Sequence, residues 1–215
     1  MKQYKKFFLC CGIVLILSEL WKQWTLTFHL NNGYYDWWYF PFQLCSIPMY
    51  ICTALPFVHS LKIRRCLLAF LMDFGLLGGI FAFFDTSGMH YRYVPLTVHS
   101  FTWHVLLILI GIYAGMTWRA TAEPETGDNT LFPGDYCKAV YLYLLCCLAA
   151  LCLNLAFRRY GAINMFYISP YYPMQQKVFD QIAASLGNGT GIFLYLLSTL
   201  AGARVFHQIW KTRVG

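Results

Sequence analysis

The chain has 215 residues, 59% apolar and 19% aromatic, with 12% charged and a mean hydropathy of +0.50. A soluble domain is about 25% charged, so this chain lacks the charge to coat a water-facing surface; a soluble enzyme, a disordered chain and a nucleic-acid-binding module are excluded. The net charge of +7 reads as the loop bias that orients a membrane protein.

Six apolar blocks are each long enough to cross about 30 Å of hydrocarbon: Phe7–Leu26, Trp38–Val58, Cys66–Phe84, Thr97–Thr117, Tyr136–Phe157 and Thr190–Trp210. The expected fold is therefore all-α. It is a polytopic membrane helix bundle of about six transmembrane helices in a single integral membrane domain, residues 1–215. The first block follows Lys2, Lys5 and Lys6 like a signal peptide, but it lacks a small-x-small cleavage site and carries Glu19 and Lys22. It reads as an uncleaved helix.

The second block holds Pro41 and Pro48. Pro48 has no N–H for the Leu44 carbonyl, so a kink is expected there, with a free carbonyl beside Cys45. The third block carries Asp73, and the fourth carries His99, Ser100 and His104. His104 shares a helix face with Ser100, whereas His99 lies about 140° away, which argues against a two-histidine metal site. After the fifth block, Asn164–Pro173 is too rich in proline for a regular helix, and Gln175–Leu186 reads as a short amphipathic surface helix. The stretch Ala120–Asp135, with Glu123, Glu125, Asp128 and Asp135, reads as a solvated linker. Nine cysteines lie mostly inside apolar blocks and suggest no disulfide framework.

Placing the N-terminus inside puts Lys2, Lys5, Lys6, Lys62, Arg64, Arg65, Arg119, Lys211 and Arg213 on the cytoplasmic side. The other side then holds Lys22, Arg92, Arg158, Arg159 and Lys177. The bias favours both termini in the cytoplasm of a multi-pass plasma-membrane protein. At about 1.5 Å per residue, Gln43, Cys45 and Ser46 lie roughly 8–12 Å below the outer end of their block, and His104 and Glu19 about 10 Å from theirs. Asp73 lies near the middle, and Asn154 and Asn164 at outer ends. The polar groups thus gather into a cavity in the outer half of the bilayer. Intramembrane ionisable groups of this kind are candidates for function, although a Glu19–Lys22 pair or a lone His104 bonded to a neighbouring helix explains each equally well. Cys45 reads either as a small residue at a helix contact or as a nucleophile, if a facing histidine takes its proton.

Phe40-Pro-Phe-Gln-Leu-Cys-Ser46 resembles the leucine-proline-leucine-(His/Gln)-leucine-cysteine-serine signature of the YwaF-like bacterial integral membrane family. Thr97-Val-His99-Ser100-Phe-Thr-Trp-His104 and Ile163-Asn164-Met-Phe-Tyr-Ile-Ser169-Pro170 fit the same pattern, in order. The chain is similar, more remotely, to animal multi-pass membrane acyltransferases that remodel phospholipids through a cysteine acyl intermediate. That resemblance implies Cys45 as nucleophile, His104 or His99 as base, Gln43 or Ser46 as oxyanion donor, and a phospholipid or lysophospholipid as substrate. This chain has Gln43 where many relatives carry histidine, so a histidine at that position is not essential here. The competing reading is a non-enzymatic small-molecule carrier or receptor in which Asp73 and Glu19 couple to protons or cations, with Ser100 and Asn164 lining the same cavity. No nucleotide motif is present, and neither a metal nor a cofactor is expected. The expected partners are membrane lipids, not nucleic acid.

Overall fold

The computed structural model describes residues 2–121 and 133–212. Glu123, Glu125 and Asp128 of the expected linker lie outside the described residues, as does Arg213, whereas Asp135 lies inside them. Among the described residues every regular element is helical. Helix α1, Lys2–Trp24, continues without a break into a π-helix, Thr25–Leu30. Helix α2 is Ile47–Ala54, and α3, Leu61–Phe70, runs through a π turn, Leu71–Gly75, into α4, Leu76–Phe81. The remaining helices are α5 (Val94–Ala120), α6 (Pro133–Phe157), α7 (Phe179–Leu186) and α8 (Asn188–Thr212).

Among the described residues four helices are long and apolar enough to cross a membrane: Gln3–Leu30, Val94–Ala120, Gly134–Phe157 and Asn188–Thr212. They cover the first, fourth, fifth and sixth expected blocks. The third block is present as the composite helix α3–α4, which starts before Cys66 and so takes Arg64 and Arg65 into the helix. The second block differs most. Residues 40–46 are not helical, and α2 with its short 3₁₀ extension Leu55–Phe57 is only half the expected length. Pro48 sits in the first turn of α2, where no intrahelical donor is needed, so it starts a helix and does not kink one. Leu44 lies in the turn before α2, so its carbonyl is not one freed by a kink within a helix.

Burial explains the arrangement. Only 17–33% of the most apolar window of each long helix is buried, and side chains such as Leu17, Leu20, Leu109, Leu145, Leu148 and Phe193 point outward. An apolar surface this extensive has lipid as its natural solvent. The interior belongs to the short elements: Leu68, Ala69, Phe70, Leu71, Met72, Asp73 and Phe74 are all fully buried. Phe74 stacks between Phe70 and Tyr143 at centroid distances of 5.3 and 4.7 Å. Helix α5 can approach this central helix only because Gly111 has no side chain: a Cβ there would press on Leu76 and the Leu71 carbonyl. Gly115 in the same way leaves room for the ring of Trp210.

Two buried ionic contacts hold the end of the bundle opposite Cys45. The π turn projects Asp73 onto α8, where His207 Nδ1 donates to Asp73 Oδ2 at 2.8 Å with both side chains buried. Nearby, Arg65 Nε donates to Asp135 Oδ2 at 2.7 Å and Arg65 Nη1 to the Trp118 carbonyl at 3.2 Å. Its guanidinium also lies 4.8 Å from the Trp118 ring centre. Trp118 meets His207 edge-on at 5.4 Å, so the two pairs share one aromatic wall. Arg65, counted above as a loop cation, is thus a buried structural group, and Lys22 is likewise paired, with Glu19 at 2.9 Å.

Removing one member of a buried pair strands the other charge. His207→Ala should therefore cost about 3–5 kcal/mol, seen as a lowered unfolding midpoint in detergent. The double substitution Asp73→Leu with His207→Leu should recover most of that loss.

Candidate functional site

The site lies where the second expected span gives up its helix. Residues 40–46 satisfy only part of their backbone through their own turns, and side chains from elsewhere supply further partners. Trp103 Nε1 of α5 donates to the Cys45 carbonyl at 3.1 Å, and the Tyr50 hydroxyl to the Pro41 carbonyl at 2.7 Å. Ser46 N–H returns to the Gln43 carbonyl at 2.8 Å, closing the turn that carries Cys45 to the N-terminal end of α2. Cys45 as a residue is partly buried, in the turn that leads into α2.

Three tyrosines from three segments stand within electrostatic reach of that thiol: Tyr91 before α5, Tyr167 after α6, and Tyr195 in α8. All three are half-buried as residues. The sequence offers little sign of this grouping, because tyrosines near helix ends read first as an interfacial belt. Tyr171 does play that part, exposed and capped by Arg158 at 4.3 Å.

Residues 164–169 form the opposite wall. Gln43 Nε2 donates to the Asn164 carbonyl at 2.9 Å, and Gln43 Oε1 accepts from Phe166 N–H at 2.7 Å. Asn154, fully buried on α6, makes the same two-sided contact with Met165: Nδ2 donates to its carbonyl at 3.0 Å and Oδ1 accepts its N–H at 2.7 Å. Asn164 Oδ1 accepts from Ser169 N–H at 2.9 Å. Inside this clamp Phe166 and Tyr167 have φ of +56° and +57°. Two successive left-handed residues without glycine cost about 1–3 kcal/mol each and persist only where the surroundings over-determine them.

The histidines divide. The Ser100 carbonyl can only accept, so His104 Nδ1 is the donor of their 2.8 Å bond, leaving the lone pair on Nε2. The His104 ring meets Phe83 edge-on at 6.5 Å, and among the described residues no hydrogen bond joins it to Cys45. His99 lies between Trp21 and Trp103 at 5.6 and 5.7 Å, and its Nε2 is buried and unpartnered. It borders a lateral cavity of about 340 Å³ between α1 and α5, with Ser18, Thr102 and Trp103. Glu19 is held by Lys22 and by Gln23, whose Nε2 lies 2.7 Å from Glu19 Oε1 and 2.6 Å from the Tyr39 carbonyl. Asp73 takes no part here; it belongs to the His207 pair. Among the described residues no group of three or more His, Cys, Asp or Glu is placed to hold a metal ion.

Long lipid-facing helices around a short buried core, with a clamped irregular segment over one end, define a multi-pass helical membrane protein. Residues 1–206 match the TMEM164 family, and the chain belongs to that family. No curated protein and no solved structure matches it.

Beyond the helix ends, Lys177 reaches Asp85 at 3.2 Å, tying the turn after α4 to the segment before α7. The Ser87 hydroxyl and amide, and then Lys177, hold the Asp85 carboxyl below its usual range. A lowered folded-state pKa contributes stability above the unfolded value of about 3.9 and loses it as pH falls through the folded value. Amide exchange in residues 173–178 should accordingly stay flat from neutral pH down to about 4, once corrected for intrinsic rates, and rise below it. Asp85→Asn should remove that pH dependence.

Proposed function

We propose that this chain is a cysteine-dependent lipid acyltransferase with six membrane-crossing segments, both termini cytoplasmic, and its site in the outer half of the bilayer. The observation that carries the reading is a partly buried Cys45 in the irregular turn at the N-terminal end of α2, its carbonyl held by Trp103, the neighbour of His104. Other polar side chains of the bundle interior, notably Glu19, Asp73 and Arg65, are engaged in ion pairs. That engagement favours Cys45 over Asp73 and Glu19 as the working group, and so acyl transfer over a coupled carrier. The motif resemblance to cysteine acyltransferases points the same way.

In this mechanism His104 Nε2 takes the thiol proton as the thiolate attacks the ester carbonyl carbon of a phospholipid. The tetrahedral intermediate collapses to a Cys45 thioester, and the departing lysophospholipid oxygen takes the proton back from the imidazolium. An acceptor hydroxyl, from a second lysophospholipid or water, then gives its proton to His104 and attacks the thioester; the C–S bond breaks, Cys45 leaves as a thiolate that takes the proton back from the imidazolium, and the new ester or free acid is released. His104 follows Trp103, whose indole holds the Cys45 carbonyl, but the two side chains point about 100° apart around α5, so the mechanism requires the imidazole to reorient toward the sulfur. Catalytic hydrogen bonds commonly tighten in this way when substrate arrives.

Intact-mass measurement after incubation with mixed phospholipids should show a hydroxylamine-labile acyl adduct that Cys45→Ala abolishes. His104→Ala should slow its formation by about 10²–10⁴-fold, the usual weight of a general base, and His99→Ala by much less. Absence of the adduct across lipid classes would sink this reading.

A further inference from the structure

The lateral cavity between α1 and α5 combines an apolar mouth with a polar wall. At the mouth Val14 and Val98 are 54% and 59% exposed, on helices long and apolar enough to cross a membrane. The wall carries Ser18 of α1 and Thr102 of α5, and among the described residues neither hydroxyl makes a hydrogen bond. Elsewhere Thr53, Thr117 and Thr199 return their hydroxyls to the carbonyl four residues back, at 2.8–2.9 Å. Two hydroxyls from different helices, unpaired on one wall among apolar side chains, are costly unless something entering the cavity accepts from them. Among the described residues no Lys, Arg, Asp or Glu lines it, so a neutral acceptor suits it better than an ion.

Depth and size narrow the occupant. Helix α5 has 27 residues and so is about 40 Å long, against about 30 Å of hydrocarbon, which leaves about 5 Å of each end among the headgroups. His99, on the same wall, lies about 7.5 Å from the start of α5, close to the level at which acyl chains end in their ester carbonyls. The volume of about 340 Å³ is at the low end for ligand sites, room for one end of a chain. Trp103 closes the cavity, and its Nε1 donates to the Cys45 carbonyl at 3.1 Å.

We propose that this cavity is a lipid site that holds the ester end of one acyl chain of a glycerolipid. The ester carbonyl accepts from the Ser18 and Thr102 hydroxyls, and the first methylenes lie against Val14, Val98 and Trp103. Binding here needs no chemistry at Cys45 and holds whether or not acyl transfer occurs.

The test is photo-crosslinking of the full chain in vesicles of dialkyl ether phosphatidylcholine, a matrix without ester carbonyls. Three probes carry a diazirine near the headgroup end of one chain: an ester phosphatidylcholine, its ether-linked counterpart and the matching free fatty acid. Peptide mass spectrometry maps the label. The ester probe should label residues 14–21 and 95–106 to a plateau, whereas label near the outward Leu145 and Leu148 of α6 should rise in proportion to probe. Ser18→Ala with Thr102→Val should lower the plateau labelling by about tenfold, as for loss of two hydrogen bonds, with α6 labelling and the unfolding midpoint unchanged. Val98→Trp, which fills the mouth, should block it with both hydroxyls intact. Label in 14–21 and 95–106 that never saturates would overturn the site. Equal labelling by the ether probe, or no response to the double variant, would overturn recognition of the carbonyl. Saturable labelling by the fatty acid alone would overturn the ester as its source.

Discussion

In hydrocarbon a backbone N–H or C=O without a partner costs several kcal/mol, and that penalty governs how this chain is built. Long helices meet it internally, and α1, α5, α6 and α8 do so while turning leucine and phenylalanine outward. The stretches 40–46 and 164–169 do so only in part. They are tolerated because Trp103, Gln43, Asn154 and Asn164 supply side-chain partners to their backbone. Each of these residues is therefore fixed twice over, by the helix or turn that carries it and by the amide or carbonyl it serves.

The bundle separates its polar chemistry into two regions with different physics. At one, Asp73–His207 and Arg65–Asp135 are closed pairs against Trp118, short and fully packed. Such pairs specify how helices meet, and they are costly to break from one side only. At the other, Cys45, Tyr91, Tyr167 and Tyr195 are only partly buried as residues. The first region positions α8 against the central helix.

Much of this was legible in the residue order. Runs of apolar residues long enough for a bilayer name their own solvent, so the membrane class and four of the expected blocks follow from hydropathy and length alone. Ionisable residues inside those runs drew attention to Glu19, Asp73 and His104, and two prolines flanking a cysteine drew attention to Cys45. The second block misled because a proline in an apolar run reads equally as a kink within a helix or the first turn of one; Pro48 is the latter, and only the partners of residues 40–46 decide between them. Asp73 looked like a member of the Cys45 cavity because depth along a helix says nothing about direction around it. The π turn rotates it toward His207, a residue that drew no notice at the end of the last block.

The sequence by itself determined the solvent and the helical class, because each depends on composition along one segment. The tertiary structure alone decided which of those residues meet. Gln43 and Phe166 are 123 positions apart and Asp73 and His207 are 134 apart, and a contact across that separation is set by how whole helices pack. Spacing along the chain carries no record of it.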